Sequence, residues 1–487
     1  FSFSSDENLD TEFQAIGNYN IINSHPIISI DTDRYFIPIH FLLIEAIYES
    51  PFHWMKDDLD YNDISGKNRG KVGEEITFEL LYKVFGEHGT FKSVKIISKK
   101  GHTDTDIDVL CILGSKALCV QVKSKKLTEL SRVGNDAKIK KDFQQAVQSA
   151  YQQGLISRQK IIDKTAKFID ENKNEIRLSE EIDEVYIMVI TTENYPSLTP
   201  QTYLLLEKQD SDPYPLALTI FDLELITHYL HDKYDFLYYV RQRIVLMDYF
   251  KADEEITFLG YHLDRKLSKT PNSGIIVIDA NFGPLISRNY IPLKMGLDIS
   301  EEGDKIKNCE KNENFDKLCT LLKTSTLPKI TDIIFHLLDL SGDARKLLVD
   351  LMTEMKQLSL KDGKIHNFSI PPSTENSERI GFTYLVIDSD DVNKLKDMLQ
   401  PLSEARKYRG RCDIWIGFGS LKSDIQMIDC VIFNNDKWKY DSELEVITDN
   451  ILKDKGQVRQ FANIRKIGRN DDCVCGSRLK YKKCCGR

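Results

Sequence analysis

The sequence predicts a mixed α/β protein with an αβββαβ core between residues 60 and 240, a second α/β or α+β domain beyond residue 271, and a small cysteine-rich C-terminal module. Three observations carry this prediction. Between residues 70 and 240 the spacing of apolar residues changes from helical to strand-like and back. The length, 487 residues, exceeds what a single hydrophobic core normally sustains. Four of the ten cysteines fall in the last fifteen positions, in a segment with too few apolar residues to pack a core of its own.

Residues 1–59 read as a lead-in that packs on the αβββαβ core: a strand at Pro26 to Ile30, a turn at Asp31 to Asp33, and a helix from Pro38 to Glu49 with Phe41, Ile44, Ile47 and Tyr48 on one face. From Gly70 onward Ile76, Leu80, Leu81, Val84 and Phe85 recur at helical spacing until Gly86 stops the helix. Val94–Ser98, Asp108–Leu113 and Ala117–Lys123 are β-prone, and Gly114-Ser115-Lys116 makes a hairpin of the last two. A Gln- and Lys-rich helix is expected from Asp136 to Gln153, then strands at Val185–Thr191 and Leu216–Phe221 and a helix at Leu223–Tyr239. Residues 241–270 form a helical connector. Residues 271–452 alternate strands at Gly274–Asp279, Phe382–Ile387, Cys412–Gly417 and Met427–Phe433 with helices near 314–323, 331–359 and 390–407; no motif there assigns a role. Residues 453–487 are a basic stem and the cysteine tail.

Composition narrows the class. With 41% hydrophobic and 29% charged residues the chain is a folded globular protein, and its longest apolar runs fall far short of the roughly 18 residues a membrane helix needs. Residues 1–10 hold three acids and no base, unlike a secretory leader. The cysteine density is not that of a disulfide scaffold, which points to a reducing cytoplasm. The net charge of −9 is unevenly spread: residues 67–141 carry +7 and residues 453–487 carry +8, leaving −24 on the rest. Two basic islands on an acidic body suit a protein that meets phosphate at chosen places.

In the tail, Cys473, Cys475, Cys484 and Cys485 lie within thirteen residues with Gly476 between the pairs. A closed tetrahedral Zn²⁺ site is the natural way to fold so short a segment; two disulfides or free thiols are the alternative. The C-x-C-x8-C-C spacing with Gly468-Arg469-Asn470, Gly476-Ser477 and Tyr481-Lys482 resembles the SEC-C motif, the zinc-binding C-terminus of the translocation ATPase SecA. Asp472 and Arg478 depart from the usual proline and glycine. The resemblance implies one structural zinc and leaves the activity open, with a protein partner for the tail among the expectations.

A second constellation lies between Gly70 and Lys126. Hairpin geometry brings Asp108, at the start of one strand, beside Gln121 and Lys123 at the end of its partner, and Glu74 in the preceding helix faces the same point. Polar groups at the end of the apolar run Leu118-Cys-Val-Gln-Val-Lys cost free energy unless something binds them. Oxygen ligands with a lysine are what Mg²⁺-assisted attack on a phosphodiester requires. Gly70-x-x-Gly73-Glu74 followed by Leu80-Leu81, Asp106-Ile107-Asp108-Val109-Leu110 and Val120-Gln121-Val122-Lys123 resemble the PD-(D/E)XK nuclease superfamily, restriction-endonuclease-like in fold, particularly its Mrr-like branch. That resemblance implies Glu74, Asp108 and Gln121 as ligands of Mg²⁺ or Mn²⁺, with Lys123 orienting the attacking water; Glu75 is the fallback for Glu74.

Lys125, Lys126, Lys138, Lys140 and Lys141 are candidate nucleic-acid contacts. Gln145, with Gln144 and Gln148, sits where related nucleases carry a glutamine near the phosphate, although a solvated helix face explains these residues equally well. Gly417-Phe-Gly-Ser420 lacks the spacing of a phosphate-binding loop, and Cys111 and Cys119 read as packing residues. The expectation is a cytoplasmic Mg²⁺-dependent endonuclease of restriction or anti-phage type, with DNA favoured over RNA. A non-enzymatic zinc-bearing adaptor and a ribonuclease are the alternatives, and homo-oligomerisation is open.

Overall fold

The structure is a computed structural model that describes residues 1–4, 21–23, 25–98, 101–128, 131, 135–178, 182–193, 195, 198–268, 274–308, 312–371, 379–422, 426–453, 459–460, 480 and 483. The chain divides into two compact units, Phe1–Ile256 and Thr257–Arg487, each mixed α/β as the sequence predicts.

The first unit opens with a small sheet, β1 (Ser2–Ser4), β2 (Ile27–Ser29) and β3 (Tyr35–Phe36), followed by α1 (His40–Asp57). The helix runs past Pro51, beyond the end expected at Glu49. Tertiary anchors on both sides of the proline explain this: Tyr48 donates from its hydroxyl to Thr192 O at 2.7 Å, and the Phe52 ring lies 4.2 Å from the Arg69 guanidinium. Next, α2 (Asn62–Phe85) begins earlier than Gly70 and buries Leu80, Leu81, Val84 and Phe85, four of the five residues whose spacing foretold it, while Ile76 is exposed. Gly86 ends it at φ 76, with its N–H on Tyr82 O.

Three antiparallel strands come next, β4 (Thr90–Ser98), β5 (Thr103–Leu113) and β6 (Lys116–Lys123). The chain then passes through α3 (Asp136–Phe143), a π turn at Gln144–Gln148 and α4 (Ser149–Asp163). A hairpin of β7 (Ala166–Ile169) and β8 (Glu175–Ile176) joins the free side of β4, and β9 (Glu184–Thr191) returns parallel to β6. β10 (Leu216–Thr219) adds a second parallel neighbour, giving the sheet order β10-β9-β6-β5-β4-β7-β8. A long crossover is what a parallel return requires, and α3 with α4 supplies it. Ile161 of α4 clusters with Leu110, Ala117 and Cys119 on one face of the sheet; Gly73 of α2 lies against Val122 on the other. The capping box of Thr219 and Asp222 then starts the helix Ile220–Tyr229.

The second unit holds a five-stranded sheet. Two helices, α5 (Ile330–Leu338) and α6 (Gly342–Asp362), replace the single helix expected over 331–359; Ser341 caps the second by accepting from Ala344 N at 3.2 Å. β11 (His366–Ile370) was not anticipated, because its buried His366 and Asn367 break the apolar run. It pairs antiparallel with β12 (Ile380–Val386). From β12, α7 (Val392–Gly410) crosses over to the parallel β13 (Ile414–Ser420), and β14 (Cys430–Asn434) completes that side antiparallel. A Cβ at Gly417 would stand 2.5 Å from Ser403 Oγ, and one at Gly419 would stand 3.0 Å from the Leu395 side chain. The Gly-Phe-Gly run is therefore where α7 lies on the strand.

Glycine also sets the approach of α4. A Cβ at Gly154 would stand 2.5 Å from Ile187 Cγ2 in the fully buried strand β9, whereas nothing lies within 4 Å of Gly66 in the exposed start of α2. Gly66→Ala should raise stability by about 0.5–1 kcal/mol through helix propensity. Gly154→Ala should lower it by about 1–2 kcal/mol, because overpacking outweighs that gain. Urea midpoints of the two variants should move in opposite directions.

Candidate functional site

The backbone ladder between β5 and β6 runs from Leu113↔Lys116 to Val109↔Val120. Past that point side chains take over. Asp108 Oδ2 accepts from Val122 N at 2.6 Å, and Gln121 Nε2 donates to Asp106 O at 2.7 Å. By strand alternation Asp108, Gln121 and Lys123 share the face that carries Leu110 and Cys119. Gln121 is almost fully buried, at 1% exposure. Lys123 reaches across to α4, donating from Nζ to Gln153 Oε1 at 2.9 Å.

Glu74 comes from α2. A Cβ on the preceding residue, Gly73, would stand 2.4 Å from Thr192 Cγ2 and 3.4 Å from Val122 Cγ1, so the absent side chain lets the helix settle on the ends of β6 and β9. Thr77 donates back to Gly73 O at 2.7 Å in the same turn. Glu74 is half-buried, whereas Glu75 is exposed and paired with Lys92. Lys92 thus occupies Glu75, whereas Glu74 responds to the charges of Asp106 and Lys123.

Electrostatics tie the groups together. Burial pushes the Asp108 carboxyl up to about 6; the Val122 N–H and Lys123 pull it down, while Glu74 and Asp106 push it further up. Glu74 is raised by burial and then by Asp106, against Lys123, Lys92 and Lys71. Glu74, Asp106, Asp108 and Lys123 therefore feel one another although they come from three elements. Neither Asp106 nor Gln153 is among the candidates named from the sequence. The i, i+2 repeat of Asp106 and Asp108 could have signalled the first; nothing local to the sequence signals the second.

The basic flank is more varied. Lys125 pairs with Asp142 at 3.2 Å. Burial alone would raise Asp142, but hydrogen bonds from Ser131, Thr128 and Lys125 overcome it and hold the carboxyl at about 2. Lys126 and Lys138 are half-buried; Lys140, Lys141, Gln144 and Gln145 are exposed. Gln148 turns inward and clamps the backbone of Glu207, donating to its O at 2.7 Å and accepting from its N at 2.9 Å. Behind the site, Arg69 pairs with the buried Glu193 just past β9, and its guanidinium also faces Tyr48. Cys111 and Cys119 are free and buried, and burial pushes the Cys119 thiol up to about 12, as suits packing residues.

Among the described residues no group of three or more His, Cys, Asp or Glu side chains is arranged to hold a metal ion. The donors at the strand ends are carboxylates and an amide, hard oxygens of the kind Mg²⁺ and Mn²⁺ take. Burial is the chief cause of the raised Glu74 and Asp108 carboxyls, with neighbouring carboxylates adding to it, and a divalent cation would offset that cost. Among the described residues no helix is long and apolar enough to cross a membrane. Cys473, Cys475, Cys484 and Cys485 lie outside the described residues.

Residues 469–487 match the SEC-C motif. The matched relatives share only short stretches with this chain. The protein translocase subunit SecA of Carboxydothermus hydrogenoformans is 49% identical over 41 residues, 8% of this chain and 5% of that protein. SecA of Syntrophobacter fumaroxidans is 62% identical over 32 residues, 7% of this chain and 4% of that protein. A UPF0225 protein of Geobacter sulfurreducens is 81% identical over 21 residues, 4% of this chain and 13% of that protein. The chain thus spans only a small fraction of the length of these relatives. No solved structure matches.

The raised Asp108 carboxyl makes a prediction with a definite sign. A carboxyl whose folded pKa of about 6 exceeds its unfolded value near 4 costs stability as pH rises through that interval, and the full cost is present above it. Asp108→Asn keeps an oxygen for Val122 N–H but cannot ionise. Its advantage over the unsubstituted protein should be small at pH 4, grow to pH 6 and then level off at no more than about 3 kcal/mol. Denaturant melts of metal-free protein across that range provide the measurement.

Proposed function

We propose that the chain is a metal-dependent endonuclease of the PD-(D/E)XK type that hydrolyses phosphodiester bonds of nucleic acid, DNA in preference to RNA, in the cytoplasm of a bacterium as part of restriction or phage defence. One observation supports the reading: Asp108 and Gln121 bond across the ends of β5 and β6, and the charges of Glu74 and Lys123 act on Asp108 there. The element order of the first unit supports it, since α2, β4, β5, β6, α3 with α4, and β9 follow the αβββαβ plan of restriction-endonuclease-like folds.

Glu74, Asp108 and Gln121 would hold Mg²⁺ or Mn²⁺, which supplies Lewis-acid activation of the phosphate and a more acidic water. The residues of the chain do the rest. Lys123, fixed through Gln153, presents its ammonium where negative charge develops on the phosphate and orients the attacking water. Asp108, with one oxygen committed to Val122 N–H, keeps the strand ends at a fixed separation. The exposed Lys140 and Lys141, with Lys138 beside them, meet the nucleic-acid backbone without reading sequence. The SEC-C tail would bind one structural Zn²⁺ through Cys473, Cys475, Cys484 and Cys485, leaving no open position for zinc chemistry.

Plasmid DNA, single-stranded DNA and RNA, each with Mg²⁺ or EDTA, test the reading. Cleavage should require Mg²⁺, and Asp108→Ala or Lys123→Ala should lower it by about a thousandfold, several kcal/mol of transition-state stabilisation, with circular dichroism unchanged. Wild-type cutting by either folded variant would refute the assignment. Absence of cleavage on every substrate would favour the reading that the SEC-C match also suits, a zinc-bearing adaptor with a vestigial nuclease fold.

The tail is tested separately. Freshly purified, reduced full-length protein should carry about one zinc per chain. Deleting residues 464–487 should leave the rate on a saturating short substrate unchanged while weakening salt-sensitive binding. A folded truncation that no longer cuts would make the tail part of the chemistry.

A further inference from the structure

The ammonium of Lys123 stands among carboxylates, yet the acceptor it reaches is a neutral amide on a different element, Gln153 Oε1 on α4 at 2.9 Å. Glu74 and Asp108 both feel the Lys123 charge, and Asp106 acts on both. A lysine has a flexible four-carbon stem. Left unanchored in such company, its ammonium would settle into an ion pair with a carboxylate and take the space that a cation needs.

Gln153 is placed to prevent that. It is half-buried on α4, and the next residue, Gly154, lets the helix lie closer to β9 than a Cβ would allow. The amide oxygen accepts one of the three ammonium protons and neutralises nothing, so the full positive charge and the remaining donors stay available. A carboxylate at 153 would anchor the lysine equally well but cancel its charge.

We infer that Gln153 is a positioning residue that holds the Lys123 ammonium off the Glu74 and Asp108 carboxylates, leaving Glu74 and the second Asp108 oxygen open to a divalent cation. The inference rests on the proposed metal-dependent hydrolysis and deepens it by naming what separates the lysine from the metal ligands.

The full-length chain is compared with Gln153→Leu and Gln153→Glu by Mn²⁺ titration calorimetry, by crystal structures without metal and by steady-state cleavage. Gln153→Leu should lose about 10- to 100-fold in Mn²⁺ affinity and in kcat with substrate KM unchanged, and its crystal should show Lys123 Nζ moved onto a carboxylate. Gln153→Glu should keep Lys123 in place and retain Mn²⁺ affinity while kcat stays low, which a merely structural glutamine would not produce. If Gln153→Leu binds Mn²⁺ and cuts like the unsubstituted protein, with Lys123 unmoved, the inference is overturned and the nuclease reading stands. If the unsubstituted protein neither binds Mn²⁺ nor cuts, the nuclease reading falls; displacement of Lys123 in the Gln153→Leu crystal would then still establish the anchoring, and an unmoved Lys123 would remove both.

Discussion

β5 and β6 stop exchanging backbone hydrogen bonds at Val109 and Val120, and the chain beyond that point depends on how the freed groups are satisfied. A buried N–H or C=O without a partner costs on the order of 1–3 kcal/mol. Asp108 answers for Val122 N–H and Gln121 for Asp106 C=O, so two side chains that look chemical are also what hold the strand ends. The burial that makes those bonds necessary also raises the Asp108 carboxyl. Stability at this point and the proposed reactivity draw on one arrangement, so a substitution that removes the Asp108 charge is expected to act on both in opposite directions.

Helices reach this arrangement only because glycine lets them. Gly73 brings α2, and hence Glu74, onto the ends of β6 and β9, while Gly154 does the same for α4 and Gln153. The second unit uses the device for packing alone. Gly417 and Gly419 seat α7 on β13, and Gly381 leaves room for the Trp415 ring, whose Nε1 donates to Thr383 Oγ1 at 3.0 Å. A glycine between helix and strand therefore marks close approach in both units.

Much of this was legible in the sequence. The helical repeat through Leu80 to Phe85, the hairpin at Gly114 and the apolar run Val185–Thr191 each gave a regular element, because there the apolar spacing follows the buried face, although Ile76 at the head of the repeat is exposed. Hairpin geometry likewise put Asp108 and Gln121 at the same end of their two strands. What escaped was set by contacts distant in sequence. Lys123 and Gln153 are joined across thirty positions, β11 hides behind two buried polar residues, and α1 crosses Pro51 because Tyr48 and Phe52 are held from outside the helix. Lys125, a candidate phosphate contact, is paired with Asp142, a partner that local composition does not signal.

The link from α1 to the end of β9 bears on how this half of the molecule can be divided. Tyr48 holds the carbonyl of Thr192, the residue against which Gly73 rests, and Phe52 and Tyr48 shelter the Arg69 guanidinium beside buried Glu193. A fragment starting at residue 60 would retain every candidate site residue of the sheet and still open that ion pair to water. The lead-in is thus part of the scaffold rather than a detachable extension, and the region cannot travel between proteins as a cassette cut at its first long helix.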